Sequence, residues 1–268
     1  MSAHGVTFQR GGRGGILRAV LAILAVAALA AFANPDVPTL LAQGDAFDAQ
    51  LDTPHALESY LEAEKLGSTD AGTLTRIARQ YALSMNDTPS EAQQRELGEK
   101  ALAYAKRAVA SDPSNAKAQL SAAICYGRLV SLVNTRTKVE YSRLIKEHAD
   151  QALKLDPSDS YAWHVLGVWN YELAQMGGLS RAIVKVVYGG IPSASNEEAV
   201  RLFRKAVQLA PGRVSHHTEL GRALLAQGDK AAARAEFDKA LALPAKEKDD
   251  PESKRRAQSA LAGLGPTS

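Results

Sequence analysis

The chain has 268 residues, 46% hydrophobic but only 6% aromatic, with a formal net charge of +3. Three arginines and no acidic residue lie in residues 1–33, so the remainder sums to zero. A neutral chain without a basic run lacks the clustered cations that phosphate backbones require, which argues against a nucleic-acid binder.

Arg10, Arg13 and Arg18 precede an uninterrupted apolar run over 19–33, and Ala31-Phe32-Ala33 is an Ala-x-Ala cleavage pattern. Basic head, apolar core and small-residue site predict a bacterial secretory signal peptide. With Ile16 and Leu17 the run also approaches the roughly 20 residues that a membrane span needs. Residues 1–33 are therefore a cleaved signal or an N-terminal anchor through 16–33. Both place the rest of the chain on the outer side of the inner membrane, because the arginines stay inside.

From residue 37 one spacing recurs. The unit 160–213 shows it best: Trp163-x2-Leu166-Gly167, later Ala199-x3-Phe203-x2-Ala206, then Pro211. Small residues let two antiparallel helices approach, Trp163, Leu166 and Phe203 fill the space between, Ala206 faces the next unit, and Pro211 stops the second helix. The unit 214–247 repeats it with Leu220-Gly221 and Ala233-x3-Phe237-x2-Ala240, and 37–70, 71–115 and 116–159 carry degenerate copies. The order resembles the tetratricopeptide (TPR) pattern. Where that pattern has a tyrosine three residues after the glycine, this chain has Asn170. The expected fold is all-α: a TPR-type α-solenoid of about five helix pairs over 34–268.

The middle three units exceed the 34-residue period by 11, 10 and 20 residues, inserted between paired helices. In 71–115 the second helix is expected to start early, near Ser90. In 116–159 residues 129–141 are expected to extend both helices and to be partly buried. The largest insertion, 177–195, spaces Leu179, Ile183 and Val186 as a short amphipathic helix. It serves as an edge cover, or as a lid or membrane-touching element. Residues 249–264 predict a polar capping helix, with Pro251 at its start and Ala260, Leu261 and Leu264 facing inward. Cys125 is the single cysteine, so no intrachain disulfide forms, and its helical pattern reads as a small buried hydrophobe.

Residues Ile145-Lys146-Glu147-His148, Leu155-Asp156-Pro157, His164-x2-Gly167-Val168-Trp169, Met176, Arg181 with Lys185, Pro192 and Glu198-Ala199 resemble the regulator of microtubule dynamics family over roughly 95–245. The resemblance implies a TPR interaction module, in some members anchored by an N-terminal apolar segment. The export signal argues against microtubules as the partner here.

No His-Glu-x-x-His, Cys-x-x-Cys, Gly-x-Ser-x-Gly or phosphate loop appears, so no enzyme, cofactor or metal is expected. His216 and His217 point apart on a helix and do not share a metal. His164 is either merely hydrogen-bonded or titrates in a pocket. Function is then expected on the concave face, at repeat positions 5, 9 and 12 of the first helices. These include Arg79, Leu120, Ile124, His164, Val168, Tyr171 and Arg222. This apolar stripe, flanked by two guanidinium groups, suits a protein or peptide helix or a phospholipid; otherwise the inner face is unused.

Overall fold

A computed structural model describes residues 35–189 and 193–265; the export segment 1–33 lies outside the described residues, as does Pro192. Among the described residues twelve α-helices run in order: α1 (Val37–Ala49), α2 (Thr53–Lys65), α3 (Ala71–Ser84), α4 (Glu91–Ser111), α5 (Ala116–Leu129), α6 (Thr135–Leu155), α7 (Ser160–Ala174), α8 (Gly178–Tyr188), α9 (Asn196–Leu209), α10 (Val214–Ala226), α11 (Lys230–Ala242) and α12 (Asp250–Leu264). The pairs are α1–α2, α3–α4, α5–α6, α7–α9 and α10–α11, each stacked on the next, and α12 closes the last pair. This is the predicted solenoid.

Short polar side chains start these helices. Asp70, Ser90, Asn115, Asn134, Asp159, Ser195 and Asp229 each accept a backbone N–H from the first turn, typically worth about 1 kcal/mol per cap. Two Asp-Pro turns shape the entries to α5 and α7. Asp112 accepts the N–H and hydroxyl of Ser114, and Asp156 those of Ser158. Pro211 follows α9, which ends at Leu209.

Packing inside the pairs follows one rule of combined size. In pairs one, four and five a glycine faces a fully buried ring: Gly44 faces Tyr60, Gly167 faces Phe203, and Gly221 faces Phe237. The equivalent positions in pairs two and three hold alanines, Ala78 with Ala105 and Ala123 with Ala149, all buried. A volume-conserving exchange of this kind keeps the helix separation while changing both partners. Ala199, Ala206, Ala233 and Ala240 are also fully buried, and Leu166 nearly so.

The insertions go mostly into second helices. Helix α4 starts at Glu91, and α6 is extended to 21 residues. Helix α5 is not extended: it ends at Leu129, a 3₁₀ turn (Val130–Leu132) follows, and the Asn134 cap starts α6. Asn134 favours the cap over helix continuation because its side chain competes for backbone N–H groups.

Trp163 corrects an expectation. It is only half-buried: it packs at the edge of the cluster of Ala123, Ala149, Leu166 and Leu202 and donates its indole N–H to the Pro157 carbonyl at 2.9 Å. The buried tryptophan is Trp169, which donates to the Ser142 carbonyl of α6 at 2.7 Å. Asn170 is also buried and bonds back to the Leu166 carbonyl. The 177–195 insertion forms α8, with Val184 buried and Arg181 donating to the Leu173 carbonyl. In α12, Ala260, Leu261 and Leu264 pack against the last pair. No helix among the described residues is long and apolar enough to cross a membrane.

Candidate functional site

The inner face is built by the first helices α1, α3, α5, α7 and α10, and its charges are mostly matched within the chain. Asp45 of α1 holds Arg76 of α3 through two hydrogen bonds, at 2.8 and 3.1 Å, and accepts the Tyr60 hydroxyl. The Arg76 bond, with help from Tyr60, keeps the Asp45 carboxyl below the usual carboxylate range despite partial burial. Asp48 takes Arg79 and, at 2.9 Å, the Gln80 amide. At the other end Arg222 lies over the Tyr171 ring at 4.6 Å and bonds to Glu219 at 2.7 Å, with Glu172 at 3.5 Å. Glu219 is buried, and burial pushes its carboxyl up against the pull of Arg222 and Arg256.

Arg79 and Arg222 are therefore engaged by intramolecular carboxylates, not free to take a ligand anion as expected. Leu120 is only 6% exposed, enclosed with Ala152 and Ala162, and the half-buried Ile124 lies beside it. Val168 and Tyr171 pack on a separate cluster around Ala199 and Leu220. The structure thus brings Leu120 to Ile124 and Val168 to Tyr171, in two apolar groups.

His164 and His216 meet across α7 and α10. Their Nδ1 atoms are 3.1 Å apart, so one ring must donate to the other. Tyr161 and Phe203 crowd the pair edge-on. Burial, reinforced by Arg213, pushes His164 down to about 4; burial and then His164 push His216 down to about 2. His216 Nε2 is buried without a hydrogen-bond partner. His217 points the other way, to Glu236 and the Pro211 carbonyl. Among the described residues no three candidate ligands gather for a metal.

What lies along the inner face is the linker between α11 and α12. Glu247 accepts from the Tyr161 hydroxyl and from Arg213. Lys248 donates to Thr53 at 3.0 Å and to Asp87 at 2.7 Å. Asp249 accepts from Arg128 at 2.6 Å and from Asn86. The Arg213 guanidinium also stacks on Tyr161, 4.4 Å from the ring centre. The Tyr161 hydroxyl is pushed up by burial and by Glu247.

The sequence reading missed these residues, yet part of the signal was present. Tyr161 is at repeat position 2 and Arg128 at position 13, three and four residues from positions 5 and 9 and so on the same helical face. The run Lys246-Glu247-Lys248-Asp249-Asp250 also marks the linker as charged.

The family described as regulator of microtubule dynamics protein 1-3 matches residues 40–265. Regulator of microtubule dynamics protein 1 of Mus musculus is 31% identical over 234 residues, 87% of this chain and 76% of its own length. The Bos taurus protein is 32% identical over 210 residues, 78% of this chain and 65% of its own length. A thermophilic TPR protein of Thermus thermophilus has a TM-score of 0.63 at 18% identity, covering 84% of this chain and 99% of that one; this likeness concerns the fold alone.

Proposed function

This chain belongs to the regulator of microtubule dynamics family, and we propose that it is a non-enzymatic interaction scaffold that holds a protein partner along its inner face. One observation carries the reading: the inner face already holds a turn of polypeptide, residues 246–249, by side-chain contacts. A surface that takes one such segment can take another. The relatives named above are regulators by name, and microtubules are not the partner proposed here. The N-terminal pattern supports export, with the scaffold at the cell envelope.

The test is site-specific photocross-linking in the native host. A cross-linker at Ile124, beside the inner face, should capture a discrete polypeptide, and one at Val186, which is 85% exposed on α8, should not. Equal capture at both positions, or a bound phospholipid and no polypeptide in the native mass spectrum, would refute the scaffold reading.

A further inference from the structure

The linker's partners divide the inner-face charges into two classes. Arg76, Arg79 and Arg222 are paired with carboxylates of the first helices themselves. Among the described residues, Arg128 and Arg213 have no carboxylate partner except Asp249 and Glu247, and Asp87 has no cation except Lys248. Without the linker, two guanidinium groups and one carboxylate would stand unmatched along the inner face. They would present the order positive, negative, positive to whatever replaced it.

The linker's hold on the inner face is made by side chains alone. Its backbone N–H groups at 246 and 247 bond to Asp250, the buried residue opening α12, at 2.7 and 2.8 Å. The linker is thus shaped by its own helix. It meets the rest of the inner face through side chains, and those ion pairs keep partial solvent exposure: 23% for Arg128, 34% for Arg213 and 42% for Asp249. Such partly exposed pairs contribute modest net stability and are partly screened by salt. A competing segment of the same charge order exchanges like contacts for like.

We propose that residues 247–249 are an internal stand-in for the partner. The partner segment is acidic–basic–acidic over three consecutive residues and is read by Arg213 with Tyr161, by Asp87, and by Arg128 with Asn86. This rests on the scaffold reading above and names the chemistry of its partner.

The probe is a fluorescein-labelled heptapeptide, Pro-Ala-Lys-Glu-Lys-Asp-Asp, followed by anisotropy with the full chain. In the Glu247→Gln/Asp249→Asn variant the linker loses its charge but keeps its size. That variant should bind the probe at least tenfold more tightly than the unmodified chain. Adding Arg128→Ala and Arg213→Ala should abolish the gain, and a peptide with Lys-Glu-Lys in place of its Glu-Lys-Asp should not bind. Should the variant lose helicity, hydrogen exchange on the unmodified chain replaces it: excess heptapeptide should raise amide exchange across 245–249. Equal affinity of variant and unmodified chain for the probe, equal binding of the charge-inverted peptide, or no change in exchange would overturn the proposal. If the cross-linker at Ile124 still captures a polypeptide in that case, the acidic segment alone is wrong. If capture fails too, the scaffold reading falls with it.

Discussion

Gly167→Ala should reverse its sign with the residue at position 203. A methyl group at 167 would lie 2.6–2.9 Å from three atoms of the Phe203 ring, where ordinary contact begins near 3.4 Å. The ring has no exposed edge, so it must retreat by roughly 0.8 Å into closely packed neighbours. Overpacking of this size costs about 1–3 kcal/mol. The gain in helix propensity from glycine to alanine returns at most ~1 kcal/mol. The net effect in the unmodified chain is destabilisation of about 1 kcal/mol. Phe203→Ala alone should cost about 3–5 kcal/mol. In that background Gly167→Ala meets open space, keeps its propensity gain and recreates the alanine pair seen at 78 and 105. It should then stabilise by about 1 kcal/mol, a coupling of about 2 kcal/mol. Urea denaturation of the four chains, compared by midpoint at constant m-value, measures this directly. The same sign for Gly167→Ala in both backgrounds would refute the size-compensation rule for these pairs.

Other outcomes follow from the same structure. Trp169→Ala should cost about 3–5 kcal/mol and Trp163→Ala clearly less, because only the first ring is buried; equal losses in urea melts would contradict their placement. Below pH 6.5 the unfolded chain protonates its histidines while folded His164, held near 4, stays neutral, so stability should fall as pH drops from about 6.5 towards 4. At pH 5 this amounts to about 2 kcal/mol from His164, worked from an ordinary value of 6.5. A His164→Gln variant with the same melting-temperature loss between pH 7 and pH 5 as the unmodified chain would contradict it. Replacing Ala31 and Ala33 with bulky residues should block processing, and intact-mass measurement of the unmodified chain should give a mature protein beginning at Asn34. A full-length species in the membrane fraction would show the anchor instead.

The sequence alone determined the helix pairs, because each pair is encoded within tens of residues. Helical spacing, small residues at the crossings and capping side chains all act locally, and they placed α4, α8 and α12 before any contact was known. The compensation between Gly167 with Phe203 and Ala78 with Ala105 was equally available, since each pair lies at fixed repeat positions. Some local competition was misjudged: Asn134 opens a new helix where continuation of α5 was expected. Only the tertiary structure decided which charges meet. Asp249 reaches Arg128 across 121 residues, and Lys248 reaches Asp87 across 161. The stacking of all five pairs sets these partnerships, and no short-range pattern encodes them. That is why Arg79 looked available for a ligand, although the i,i+3 spacing of Glu219 and Arg222 was legible, while Arg128 and Arg213, whose carboxylate partners among the described residues lie in the linker, could be recognised only once the chain was folded.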